Sequence, residues 1–233
     1  MKQPLIITFA NQKGGVGKTS LCMAFANYLA DKNHVVRVVD CDYQSSINMQ
    51  RSADLVKYKD TKPPYMVLTY SLADSQGVAD LIDRYRGKEN VSAVLFDSPG
   101  NLREDGLVSL CVNSDYIVVP YIYDRLSIAS TSRFVKFLLV LRERYSKVMK
   151  AKLAFVCNKY ESSCGKKDEK LFWEKTEEVF RRLGIVTPRI AKYMNMTRLS
   201  TMFTMDFQQK IVKDCFDVLY ANIFENQENK PTE

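Results

Sequence analysis

Residues Asn11–Ser20 read NQKGGVGKTS; they follow the apolar run Leu5–Ala10 and lead directly into the apolar stretch LCMAFANYLA. A strand, a glycine loop and a helix in immediate succession form the context of a phosphate-binding loop, so this segment constrains the fold more than any other part of the chain. Gly14, Gly15 and Gly17 let the backbone turn tightly around Val16 with its N–H groups pointing inward. The helix N-terminus behind them adds partial positive charge, which favours bound phosphate. Lys18 is then expected to reach the terminal phosphates, Thr19 to offer its hydroxyl to Mg²⁺, and Ser20 to complete the nucleotide-binding set. A flexible turn capped by Thr19 is the competing reading, but turn chemistry alone seldom places Lys and Thr together after a strand.

The remaining pattern is of the same kind. Further apolar runs at Val35–Val39, Tyr65–Thr69, Val91–Phe96, Tyr116–Val119 and Leu153–Cys157 alternate with amphipathic stretches. Helices are expected at Lys18–Asp31, Gly77–Tyr85, Glu104–Cys111, Ser127–Val148, Glu169–Leu183 and Phe207–Phe224. Most of the strands are apolar on both faces, as required when helices cover both sides of a parallel sheet. The expectation is an α/β, doubly wound, mostly parallel sheet of the P-loop NTPase type, with one domain over 1–224 and a polar tail over 225–233. Lys57–Pro64 reads as a surface connection.

Composition removes several alternatives. Hydrophobic residues make up 46% and charged residues 26%, which is ordinary globular usage, and the net charge of +7 is mildly basic. The six cysteines form no CxxC pair and His34 is the only histidine, which argues against structural zinc and histidine-based catalysis. No run approaches the roughly 20 apolar residues that span a bilayer. MKQPLIITFANQ lacks a signal-like apolar core, so a cytoplasmic location, where free thiols are normal, is expected.

The loop departs from G-x-x-x-x-G-K-[ST]: Gln12 replaces the first glycine and Lys13 opens the glycine run. In this it resembles the deviant Walker A motif, KGGxGK[ST], of the ParA and MinD family of ATPases. Other segments are similar to that family as well: VDCDYQSS at the second strand's end, LFDSPG at the fourth, PYIYD after the fifth, CNKY after the sixth, and PRI at Pro188–Ile190. The resemblance implies that ATP and Mg²⁺ are the cofactors and that the chain forms a homodimer on binding ATP. It further implies that Lys13 reaches the nucleotide of the other subunit, that Asp42 activates the attacking water, and that Asp97 holds Mg²⁺. Asn158 and Pro188 are implied as base contacts, while Asp40 reads as structural. Gly100 stands where many members have proline. Glu161 stands where a guanine-specific NKxD pattern would have aspartate, which favours ATP. The details resemble the small ParA-like proteins of plasmids and conjugative elements, which implies non-specific DNA binding, nucleoid association and a stimulating ParB-like partner.

A DNA surface has one candidate in the sequence. On a helix through Arg133–Lys152, Phe134, Phe137, Leu138, Leu141, Tyr145 and Val148 share one face, and Arg133, Lys136, Arg144 and Lys147 another. Such stripes are often only solvated faces, and the resemblance is what raises this one to a phosphate-binding reading. Arg181 and Arg182, with Arg189, Lys192 and Arg198, form a second cluster that would extend it. Competing readings are a MinD-like ATPase positioning a membrane or protein cargo, an ATP-dependent carboxylase resembling dethiobiotin synthetase, and an iron-sulfur reductase. The mixed, acidic last residues argue against a membrane-binding terminal helix, and no motif marks an acid-substrate pocket or a cluster.

Overall fold

A computed structural model describes residues 3–101 and 104–225; Met1, Lys2, Leu102, Arg103 and most of the expected tail lie outside the described residues. Seven strands form one sheet in the order β3-β2-β4-β1-β5-β6-β7, and every pairing is parallel. The strands are β1 (Leu5–Phe9), β2 (Val36–Asp40), β3 (Met66–Thr69), β4 (Ala93–Asp97), β5 (Tyr116–Tyr121), β6 (Lys152–Cys157) and β7 (Gly184–Val186). The helices are α1 (Lys18–Asp31), α2 (Ser46–Lys57), α3 (Ser75–Arg86), α4 (Asp105–Asn113), α5 (Arg125–Arg144), α6 (Lys167–Leu183) and α7 (Asp206–Tyr220), the last continuing as a wider turn over Ala221–Glu225.

The strands are apolar on both sides because two cores sandwich the sheet. Leu5, Ile7, Phe9, Val36, Val38 and Leu95 meet Leu21, Phe25 and Leu29 of α1 and Phe216 of α7 on one face. The alternate residues Ile6, Val39, Val94 and Phe96 meet Val78 and Ile82 of α3, Leu110 of α4, Phe134 of α5 and Phe180 of α6 on the other. Each fully buried side chain of this size contributes roughly 1.5–3 kcal/mol, so the two cores specify strand register as well as stability.

Helices α2 and α5 depart from the sequence pattern, as does the short strand β7, which the sequence does not show. Helix α2 buries Ile47, Arg51 and Asp54, a helical i, i+4, i+7 spacing in which two of the three residues are charged. Arg51 donates to the Thr201 hydroxyl, the Thr201 carbonyl and the Tyr65 carbonyl at 2.8, 3.0 and 2.8 Å. Asp54 accepts from the Thr201 N–H at 2.6 Å and from the Ser200 hydroxyl at 3.1 Å. These bonds satisfy both buried charges and tie α2 to the segment before α7. Helix α5 ends at Arg144, so Tyr145, Lys147 and Val148 lie beyond it, and Val148 is exposed instead of core-facing.

Candidate nucleotide-binding site

The C-terminal ends of β1, β4 and β2 lie side by side, with Phe9 opposite Asp97 and Asp97 opposite Asp40 in register. The chain leaving β1 passes to α1 on one face of the sheet, whereas the chains leaving β4 and β5 pass to α4 and α5 on the other. A crevice opens at such a switch point, and the glycine loop occupies it. Its start is anchored by buried Asn11, which donates to the Pro120 carbonyl at 2.7 Å and the Thr131 hydroxyl at 2.8 Å, and accepts from the Lys13 N–H at 3.1 Å. Gly15 and Gly17 take left-handed φ values of 77° and 98°.

A second anchor closes the loop from the β6 side. The Asn158 amide donates to the Val16 carbonyl at 2.9 Å, and the Lys159 ammonium donates to the Gly15 carbonyl at 2.8 Å. Sequence reasoning assigns the Asn158–Lys159 segment to the base and names no residue as an anchor of the loop. Hydrogen bonding across more than a hundred residues leaves no periodic trace in a sequence. A Cβ on Gly17 would fall 2.2 Å from the Asn158 Nδ2. Gly17→Ala is therefore expected to lower nucleotide affinity roughly tenfold or more, combining collision with about 1–2 kcal/mol of left-handed strain. Titration with a fluorescent nucleotide checks this.

The charges converge at the mouth of the crevice. Lys18 is buried, and burial pulls its pKa down against the opposing pull of Asp97 and Asp42. Burial drives the Asp97 carboxyl up to about 7; Thr19 and Lys18 oppose that rise, and Asp40 and Asp42 add to it. The Thr19 hydroxyl faces Asp97 without a well-formed hydrogen bond: both carboxylate oxygens are fully buried and lack a hydrogen-bond partner among the described residues. An orphaned buried carboxylate beside a loop hydroxyl is the donor set that Mg²⁺ and its waters satisfy, so Asp97 and Thr19 fit that cation.

Asp40 is committed elsewhere. It accepts from the Ile47 and Asn48 N–H groups at 2.9 and 3.2 Å and so caps α2, in keeping with a structural reading. Asp42 is half-buried on the connecting loop, where its carboxylate accepts only the Gln44 N–H, at 3.0 Å, among the described residues. Gly100 lies over Lys18, and a side-chain carbon there would stand 3.5 Å from the ammonium, an ordinary van der Waals separation. The departure from proline at this position is therefore not demanded by crowding.

Beside the loop, Ser20, Leu21, Asn158, Lys159 and residues 191–194 and 196 line a cavity of about 300 Å³. Its apolar walls and the Asn158 amide suit a planar base. Pro188 is exposed and is not among the residues that line it, because β7 and the bridge between Tyr160 and Ala191 carry the next segment, not Pro188, to the rim. Glu161 is also outside the cavity, paired with Lys192 at 2.7 Å. Among the described residues, no cluster of three or more His, Cys, Asp or Glu could hold a metal, and no helix is long and apolar enough to cross a membrane.

Residues 7–195 match the model of the CobQ/CobB/MinD/ParA nucleotide-binding domain. The chain belongs to that family. An uncharacterized protein of Methanocaldococcus jannaschii is 25% identical over 193 residues, which cover 67% of this chain and 73% of the relative. The solved structure of Cyanothece McdA with ATP, a variant bearing one substitution, superposes with a TM-score of 0.74 at 15% identity and full coverage of both chains. A plasmid partition protein of Borrelia burgdorferi bound to AMPPNP superposes with a TM-score of 0.67 at 17% identity, covering 97% of this chain and 100% of that one. At these identities the solved structures show a shared fold. The all-parallel sheet and the glycine loop at its switch point are thus those of the family's nucleotide-binding domain.

The basic residues divide into two groups. Arg133, Lys136, Arg144 and Lys147 are all exposed, although Lys147 sits past the helix end instead of sharing its face. In the second cluster, Arg181 and Arg189 pair with Glu177 at 3.1 and 2.9 Å, and Lys192 pairs with Glu161. Arg182 is exposed with no ion pair among the described residues. Three of the five residues of the second cluster are therefore held in ion pairs that join α6 and the loop after β6 to the segment after β7, and Arg182 and Arg198 are exposed without an ion pair among the described residues.

Proposed function

We propose that this chain is a single-domain ATPase that works as an ATP-dependent dimer switch, binds DNA without sequence preference and serves plasmid or mobile-element partitioning. The observation that carries the reading is the convergence of the glycine loop, buried Lys18, orphaned Asp97 and half-buried Asp42 at one switch point of a parallel sheet. In it, Gly14 to Ser20 cradle the phosphates, Lys18 holds the terminal phosphoryl oxygens, and Asn158 and the cavity beside it receive the base. Mg²⁺, held by Thr19 and Asp97, would neutralise charge on the departing phosphates. Asp42 orients and deprotonates the attacking water, and Lys13 of one subunit completes the charge stabilisation in the other. A ParB-like partner would stimulate the hydrolysis that resets the dimer.

The exposed stripe on α5 supplies the DNA surface, where it meets backbone phosphates. Arg133→Glu with Lys136→Glu is expected to weaken duplex binding in ATP at every sequence and to reduce the salt slope by about 1 for each phosphate that is no longer neutralised. Nucleotide affinity should not change. The experiment is a duplex titration at several salt concentrations, with ADP, ATP and a non-hydrolysable analogue, while the same samples are sized. Nucleotide-bound dimers that never engage DNA would defeat the partition reading and favour a membrane or protein cargo.

A further inference from the structure

Strand β3 ends the sheet, with β2 on one side and no described strand on the other. The Tyr70 N–H donates to the Asp40 carbonyl at 3.0 Å, so strand alternation turns the N–H groups of Val67 and Thr69 outward, away from β2. The α3 side of this edge is not closed. Met66 and Leu68 are 52% and 40% exposed, and with Leu81, Tyr85, Arg37, Arg84 and Lys88 they line a groove of about 280 Å³.

The groove has a definite charge. Three of its lining residues are cations and none is a carboxylate, and none of the three forms an ion pair among the described residues. Arg37 and Arg84 both act on the buried Tyr85 hydroxyl, opposing the rise in its pKa that burial causes, so their fields converge on the groove. Natural edge strands are commonly blunted by a charge, a proline or a covering element. Here the cations lie across the groove on α3, just past its end and on β2 instead, leaving the strand's own edge free to pair.

We infer that β3 is a docking edge for an extended, acidic segment of a partner protein, which adds as an eighth strand with the carboxylates of its α3-side residues facing Arg84 and Lys88 and their methylenes lying over Met66 and Leu68. Main-chain hydrogen bonds to Val67 and Thr69 set the register, and the cations select for acidic side chains. The groove shares no lining residue with the phosphate loop or with Asp42, so it stands independently of the nucleotide reading.

The test is fluorescence anisotropy with a labelled octapeptide of alternating valine and glutamate, and a control with lysine for glutamate. Wild type is expected to bind the acidic peptide and not the basic one. Arg84→Glu with Lys88→Glu should weaken binding roughly tenfold or more by reversing the complementarity. Thr69→Pro should weaken it comparably by deleting one outward donor at an edge that tolerates proline, and unchanged nucleotide binding certifies that each variant is folded. No binding by wild type overturns the inference, as does binding that survives Thr69→Pro, which would be charge attraction without strand addition. A chain ending at Glu225 that binds while the full chain does not would make its own terminus the occupant, which also overturns it.

Discussion

Asp97→Asn is expected to stabilise the nucleotide-free protein and, in the same molecule, to abolish Mg²⁺-dependent turnover. The carboxyl is fully buried at the end of β4, both oxygens lack partners among the described residues, and its pKa stands near 7 against an ordinary 3.8. Over the intervening pH range the folded state holds this proton more tightly than the unfolded state. Stability should therefore fall as pH rises from about 4 to about 7, and the full penalty applies above that window. Its upper bound is on the order of 4 kcal/mol, at 1.36 kcal/mol for each pKa unit. The neutral amide removes the penalty without changing the shape of the site. Urea unfolding with EDTA present should find wild type and variant nearly equal at about pH 3.5, below the unfolded pKa, and the variant more stable at about pH 8. Turnover should drop roughly a hundredfold or more, because the metal loses its buried anionic support. A variant destabilised equally at both pH values would mean that Asp97 is paired and structural.

The same residue shows what a sequence can disclose. An aspartate closing an apolar run, together with KGGVGKTS after the first strand, requires only local spacing to be recognised, and both lie where the spacing places them. Parallel pairing, two-sided burial and a switch-point crevice follow from the β-α alternation by general topology, whereas the insertion of β4 between β2 and β1 does not. What escapes is non-local or exceptional. Helix α2 is invisible to periodicity because Arg51 and Asp54 occupy its core-facing positions, so its hydrophobic period is broken by charges whose partners lie near residue 200. Strand β7 spans only three residues, too few for a period. Resemblance to a motif places Pro188 at the base, whereas the cavity rim begins three residues later, at Ala191. Arg181, Arg189 and Lys192 look like a free basic patch until Glu177 and Glu161 are seen between them.

Lys13→Ala is expected to leave nucleotide affinity of the monomer within about twofold and to reduce ATP turnover by roughly three orders of magnitude or more, the scale at which a cation supplied in trans acts in phosphoryl transfer. The two lysines of the loop occupy opposite environments. Lys18 is buried, its charge answered by Asp97 and Asp42 of its own chain, and its loss should weaken binding and turnover together. Lys13 is only half-buried, and among the described residues its ammonium has neither an ion pair nor a hydrogen bond. Its backbone N–H is held by Asn11, so the position of the residue is fixed while its side chain remains uncommitted at the mouth of the crevice. A cation so placed can act across a face-to-face dimer at little cost to its own subunit. Mixing Lys13→Ala with excess Asp42→Ala subunits provides the decisive measurement. If Lys13 works in trans, each mixed dimer pairs an intact Asp42 site with an intact Lys13 from the other chain, and turnover should recover toward half of wild type per dimer. If Lys13 works in its own subunit, each mixed site lacks one group or the other, and no recovery should appear at any ratio.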